Sequence, residues 1–349
     1  MNNFNINTLT RKNVLQMKPY SSARDEFKDF KHEMIYLDAN ENPFNNGFNR
    51  YPDPQQIELK ALLAQIKGLK SENILIGNGS DEVLDLLFRA FCEPNKDNVI
   101  TLPPTYGMYE VLANLNAIEN REVFLTTDFQ PDAKAILSNT NDKTKIIFLC
   151  SPNNPTGNSF SDAIIFELLQ NFKGLILIDE AYIDFSSKES WLHSLNDYPN
   201  LVICQTLSKA YGLAGIRIGL LYSSPEIISV LNKIKPPYNI NVLSQEKALK
   251  KLQQNTLDFQ VKKIVSERVR LQESLQKIAF IEKIIPSDAN FILIKVDDAL
   301  LRYNQFIEKG IVIRNRSNQP LCENCLRITI GTKSENDKVI SLLNNLQYA

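Results

Sequence analysis

The sequence predicts an α/β protein, with a large domain whose mostly parallel sheet is flanked by helices and a smaller α+β domain at the C-terminal end. Three observations lead there. The chain has 349 residues, beyond the roughly 250–300 at which one hydrophobic core stops growing, so two domains are expected. From about residue 55 to 225, short apolar runs alternate with stretches of helical spacing, the pattern of strands covered on both faces by helices. After that the texture changes to long charged helices and a few short strands.

The runs "NILI" (73–76), "NVITL" (98–102), "EVFL" (122–125), "KIIFLC" (145–150), "GLILID" (174–179) and "NLVICQT" (200–206) read as strands because they are apolar nearly throughout. Between them, "SDEVLDLLFRAF" (80–91) and "SDAIIFELLQNF" (161–172) repeat apolar residues at helical spacing, each opened by a serine able to cap it. Residues 244–280 are a long helix-compatible stretch. "ANFILIKV" (289–296), a helical "DALLRYNQFIEKG" (298–310), "IVIR" (311–314), "LRITI" (326–330) and a last helix complete the smaller domain. The expected divisions are residues 1–45 for an N-terminal arm that joins the small domain, 46–228 for the large domain and 229–349 for the small one.

Composition narrows the function classes. Lys and Arg number 39 against 40 Asp and Glu, a formal net charge of −1, which gives no support to nucleic-acid or membrane-surface binding. No apolar run approaches the roughly 18 residues that span a bilayer, and the start, "MNNFNINTLTRKNVLQM", has no apolar signal-peptide core. Five cysteines in so long a chain make no disulfide framework, so a reducing cytoplasm is expected. "CENC" (322–325) has redox or zinc spacing, but a zinc site wants four ligands. The two histidines, His32 and His193, are remote in sequence. Cys322 and Cys325 therefore read as loop residues, and no metal is expected.

Four polar stretches each follow a predicted strand: "GNGSDE" (77–82), "SPNNPTG" (151–157), "DEAY" (179–182) and "TLSK" (206–209). A common parallel sheet would bring them to one rim, where ligands bind in such folds. "GNGSDE" runs from glycines into a helix start, a site for phosphate. "SPNNPTG" is a rigid turn. Asp179 falls at the buried rim, where an unpaired carboxylate is costly and calls for a cation. Lys209 and Arg217 stand in a segment of small and hydroxyl residues. Singly, these are a helix cap, a turn, a surface lysine and a salt-bridge arginine. Together they supply an anion cradle, an acid and an amine, the three needs of pyridoxal phosphate.

At this point the sequence resembles the fold-type I pyridoxal-phosphate aminotransferases, and within them the histidinol-phosphate aminotransferases. The resemblance covers nearly the whole chain: "KPYSSAR" (18–24), "DANENPF" (38–44), "RYPDP" (50–54), "GNGSDE", "PPTYGMYE" (103–110), "SPNNPTG", "DEAYIDF" (179–185), "TLSKAYGLAGIRIG" (206–219) and "LRITIGT" (326–332). It implies Lys209 as the amine that joins the cofactor and shuttles the substrate proton. Asp179 is implied as partner of the pyridinium nitrogen, Asn154 and Tyr182 as partners of the ring oxygen, and Tyr106 as a stacking ring. Gly79, Ser80, Asp81, Thr206, Ser208 and Arg217 would surround the cofactor phosphate, with Tyr51 reaching the phosphate of a neighbouring subunit in a homodimer. Tyr20, Asn40, Arg314 and Arg327 would face the substrates, histidinol phosphate and glutamate or 2-oxoglutarate, in a step of histidine biosynthesis. A related enzyme of the same fold, acting on aromatic amino acids or decarboxylating threonine phosphate, is the alternative. A catalytically silent, ligand-sensing domain of a transcription regulator fits less well. About thirty residues precede "IYLDANENP", short of a DNA-binding module, and Lys209 is retained.

Overall fold

Seven strands build the large sheet: β1 (Ile74–Asn78), β2 (Asn98–Thr101), β3 (Glu119–Glu122), β4 (Thr144–Cys150), β5 (Leu175–Asp179), β6 (Leu201–Thr206) and β7 (Ile218–Ser223). The computed structural model describes residues 4–19, 35–254 and 256–346. Spatial order is β1-β7-β6-β5-β4-β2-β3. Neighbours from β6 to β3 are parallel, whereas β7 runs antiparallel to both β6 and β1.

The strands are apolar throughout because both faces are covered, and successive side chains alternate between two cores. In β4, Ile147 and Leu149 join a core with Leu59, Ile165 and Ala248, from the helices Ile57–Lys67, Asp162–Asn171 and Val242–Leu252. Ile146, Phe148 and Cys150 join the opposite core with Leu84, Tyr109 and Ile227, from the helices Ser80–Phe91, Met108–Leu115 and Pro225–Ile234. A second sheet, β8 (Ile281–Ile284), β9 (Phe291–Val296), β10 (Arg314–Asn315) and β11 (Cys325–Thr329), is antiparallel in the order β10-β11-β9-β8. Its core is closed by the helices Leu257–Leu275, Ala299–Glu308 and Lys333–Leu346.

Several sequence expectations shift. "EVFL" is not the third strand, which is the polar Glu119–Glu122 at the sheet edge, paired with β2. Val123 and Leu125 beyond it are buried and donate to the carbonyls of Thr101 and Pro103 (3.0 and 2.9 Å), so apolarity there marks burial rather than the ladder. β7 and β8 were not foreseen, and only the last residue of "IVIR" is in a strand. Neither serine caps its helix. Gly79 is the N-cap ahead of Ser80, and Ser161 occupies the N-cap position without a side-chain bond. Cys322 and Cys325 are buried, and Cys325 opens β11 rather than lying in a loop. All five cysteines are free, and no metal-holding cluster occurs among the described residues.

The contact that joins β7 to the helix start is backbone to backbone. A Cβ at Gly219 would lie 2.3 Å from both Gly79 C and Ser80 N, atoms that cannot step aside. Gly219→Ala should therefore destabilise the fold by about 1–3 kcal/mol, read as a lowered midpoint in thermal denaturation. An unchanged midpoint would contradict this packing.

Candidate active site

Because β7 alone is reversed, the C-terminal ends of β1, β4, β5 and β6 and the start of β7 open on the same rim. A cavity of about 150 Å³ lies there. Ser80, Asp81, Tyr106, Asn154, Asp179, Tyr182, Thr206, Ser208, Lys209 and Arg217 all line it. Four separate polar stretches have thus been brought to one place.

One end of the cavity could hold an anion. The helix Ser80–Phe91 begins there with no side chain capping it, after Gly79 at φ 86°, a conformation glycine adopts without strain. Asp81 accepts a hydrogen bond from the Tyr106 hydroxyl (3.0 Å) instead of closing its own helix. Arg217, itself at φ 54°, packs against Gly79 so closely that a Cβ on the glycine would sit 2.5 Å from its Nη2. Thr206 Oγ1 accepts from the Ser208 backbone N–H at 3.1 Å, fixing the turn that presents both hydroxyls. Helix dipole, guanidinium and hydroxyls converge as a phosphate requires.

The middle of the cavity holds an acid and an amine. Asp179, at the end of β5, is 3% exposed. It accepts hydrogen bonds from the Tyr109 hydroxyl (2.7 Å) and the Ala181 backbone N–H (3.1 Å). Burial nevertheless raises its carboxyl to about 6, against the lowering effect of those bonds and of Lys209. Its neighbour Glu180 turns into a separate buried network with Ser190, the Trp191 N–H and Gln205. Lys209 is accessible from the cavity, with Nζ 5.7 Å from the centre of the Tyr182 ring. The surrounding protein lowers its amine below the usual lysine value, burial first and the charge of Arg327 next. The Tyr182 phenol is buried and shifted upward for the same first reason.

The small sheet reaches one of the lining residues, Asn154. Arg327 of β11 donates through Nη1 to Asn154 Oδ1 at 2.5 Å and lies over the Phe291 ring, 5.0 Å from its centre. Asn154 is held by its neighbour: Asn153 Nδ2 donates to the Pro104 carbonyl and to Thr156 Oγ1 (2.9 and 2.7 Å). Arg314 stands directly opposite Arg327 in the β10–β11 register and is exposed. Asn40 and Tyr51 do not join this cavity. They line another, of about 590 Å³, where Tyr51 stacks on Tyr238 at 4.5 Å. Tyr20 lies outside the described residues.

The model of the family "Aminotransferase class I and II" matches residues 18–343. The chain belongs to that family. Among its relatives is a histidinol-phosphate aminotransferase of Flavobacterium psychrophilum, 71% identical over 99% of this chain and 100% of the other. The histidinol-phosphate aminotransferase of Clostridium acetobutylicum superposes with a TM-score of 0.80 at 26% identity, covering 86% of this chain and 91% of that one. That of Sinorhizobium meliloti, solved with pyridoxal-5'-phosphate, gives 0.77 at 25% identity over 85% and 84%. The architecture of this aminotransferase is accordingly the fold-type I arrangement that the sequence implied.

Sequence reasoning missed Tyr109. The signal was available, since a tyrosine on a buried helix face must bond its hydroxyl to something. Its bond favours the charged carboxylate, so Tyr109→Phe should move Asp179 further up from about 6. Infrared difference titration of the carboxyl, with Asp179→Asn as the blank, would show this. A midpoint that stays put would remove Tyr109 from the account.

Proposed function

We propose that this aminotransferase moves the amino group of L-histidinol phosphate to 2-oxoglutarate, giving imidazole-acetol phosphate and L-glutamate, with pyridoxal 5'-phosphate as cofactor. One observation carries the reading: Lys209 shares a cavity with the buried Asp179 and an uncapped helix start backed by Arg217. The high identity to a histidinol-phosphate aminotransferase over the whole chain supports the choice of substrate.

The residues present fit the cofactor. When bound, pyridoxal phosphate supplies an electron-accepting ring that eases loss of a proton from the carbon bearing the amino group. The cradle of Gly79, Ser80, Asp81, Thr206, Ser208 and Arg217 would hold its phosphate. Asp179 would keep a proton on the ring nitrogen, a charged pairing that offsets the cost of burying the carboxylate. Asn154 and Tyr182 would bond the ring oxygen, and Tyr106 would stack on the ring face. Lys209 Nζ would be the covalent attachment point and then the base that takes and returns the substrate proton. Its lowered amine supports that role, because a base must be unprotonated to act.

Arg327, Arg314, Asn40 and Tyr20 would bind substrate, with an arginine fork serving carboxylate and phosphate alike. Tyr51 would act across a homodimer. It is half exposed and shares its cavity with the exposed Phe48 and Leu243, which supports an interface there. The divisions 1–45, 46–228 and 229–349 remain the proposal for arm, large domain and small domain, with Val14 of the arm and the helix Val242–Leu252 both packed into cores of the large sheet. Among the described residues no helix is long and apolar enough to cross a membrane, and a cytoplasmic location is part of the same proposal.

Lys209→Ala should abolish turnover while leaving a folded protein that binds the cofactor noncovalently. Borohydride treatment of the native enzyme should fix the cofactor on the peptide containing Lys209, and a label on another lysine would refute the assignment. Histidinol phosphate should exceed unphosphorylated histidinol by at least about 100-fold in kcat/KM, since two charge-assisted contacts are lost with the phosphate. Comparable rates, preferred turnover of an aromatic amino acid, or release of carbon dioxide from threonine phosphate would overturn the substrate assignment.

Asp179 gives a test that separates function from stability. Its carboxyl rises from the usual 3.8 to about 6 on folding. For a group raised in the folded state, the stabilising contribution is complete below the unfolded value and is lost as pH climbs through the folded one. At pH 8 the cofactor-free protein therefore holds a destabilising buried charge. Asp179→Asn should stabilise it by about 1–3 kcal/mol in urea unfolding while slowing the transamination half-reaction at least about 100-fold. A variant both less stable and fully active would contradict both halves.

A further inference from the structure

Arg316 has no part in the roles above, yet its surroundings resemble those of Arg327. It follows Arg314 by two residues, the spacing that returns a side chain to the same face of an extended segment. Its backbone N–H donates to the Cys325 carbonyl (2.8 Å), continuing the β10–β11 pairing in which Arg314 opposes Arg327. Three guanidinium groups thus leave one face of two adjoining strands. Like charges placed this way repel, and among the described residues no carboxylate forms an ion pair with any of them.

Arg316 is only partly exposed, and its Nε is buried without an acceptor, as are the Nε of Arg327 and the hydroxyl of Ser317. Burial, then the charges of Arg327 and Arg314, lower the Arg316 guanidinium to about 10. The Tyr182 phenol is acted on by both Arg327 and Arg316, and Tyr182 lines the cavity that holds Lys209. An arginine buried for structural reasons is ordinarily paired. Here one buried donor, the Nε, of each of two neighbouring guanidinium groups has no acceptor among the described residues.

We propose that Arg316 is a third guanidinium of the substrate pocket, which binds the phosphate dianion together with Arg314 and Arg327 and sets the preference for the phosphorylated amino donor over glutamate. The inference rests on the proposed reaction for the identity of the donor. Its physical basis is that attraction to a fixed charge scales with the charge of the ligand. A third cation therefore favours a dianionic phosphate over a singly charged carboxylate in the same place.

The test compares Arg316→Gln and Arg316→Lys with the native enzyme, all loaded with pyridoxal phosphate so that the cofactor cradle is filled. For Arg316→Gln, kcat/KM for histidinol phosphate should fall about 10- to 100-fold, mainly through KM, and that for glutamate by only about 3-fold. Arg316→Lys should recover part of the loss, because it restores charge without the planar fork. Calorimetric titration with inorganic phosphate needs no turnover and should show affinity at least about 10-fold weaker in Arg316→Gln. In phosphate-free buffer the melting point of that variant should equal or exceed the native one, since a buried unpaired charge has been removed. Unchanged phosphate affinity would overturn the proposal, as would equal losses for both amino donors together with a lower melting point. Should Arg316→Gln fail to fold, an unchanged phosphate affinity in Arg316→Lys overturns it equally. Failure of the native enzyme to use histidinol phosphate would sink the proposed reaction, and the phosphate titration would still decide the role of Arg316.

Discussion

A carboxylate buried at the end of a central strand is the constraint around which this molecule is arranged. Asp179 belongs to β5, the middle strand of seven, and is almost wholly shielded from water. A charge in that position is costly unless it is bonded and paired. The protein supplies only part of the remedy. Tyr109 reaches it from one helix and the Ala181 N–H from its own loop, while Lys209 acts through space. The Asp179 carboxyl still sits near 6. This residual instability is concentrated in the cavity that also holds Lys209, in keeping with strained, functional sites that rest on a stable scaffold.

The same reasoning accounts for the other ends of the cavity. The helix start at Ser80 has neither a capping side chain nor a neighbouring acid free to serve, because Asp81 is engaged by Tyr106 and Glu82 accepts from the Asn78 N–H. At the small sheet, where Arg327 meets the lining residue Asn154, Arg327 and Arg316 keep buried donors without acceptors. A positive helix end, a partly compensated acid and a set of guanidinium groups each leave electrostatic demand unmet by the chain itself.

Much of this was legible in the sequence, and the reasons differ by element. β4, β5 and β6 could be read directly, since strands covered on both faces are uniformly apolar. The polar stretches after them had to share a rim once the strands were parallel. β3 was misplaced because its ladder is made by polar residues at an edge, where backbone pairing needs no apolar side chain. β7 was hidden because it begins inside the glycine-bearing segment that follows Arg217, and its reversed direction is a long-range property. The capping role of Ser80 was misread for a related reason. A serine before an apolar run has the local chemistry of a cap, but the backbone leaves helical geometry one residue earlier, at Gly79 with φ 86°, so the glycine takes that position instead.

Tyr109 and Arg316 show where reading by local chemistry stops. Both lie within stretches whose other residues were singled out, Tyr109 three places beyond Tyr106 and Arg316 two beyond Arg314. Neither has a sequence neighbour that demands it. Tyr109 matters because its helix packs over the end of β5, which puts its hydroxyl on Asp179. Arg316 matters because strand pairing sets it beside Arg327, eleven residues away in sequence. The importance of each comes from a partner supplied by tertiary structure. The acid stands on the large sheet and the guanidinium groups on the small one, and one core that includes Ile178, Phe291, Leu293 and Cys325 runs between the two sheets and sets their strands side by side.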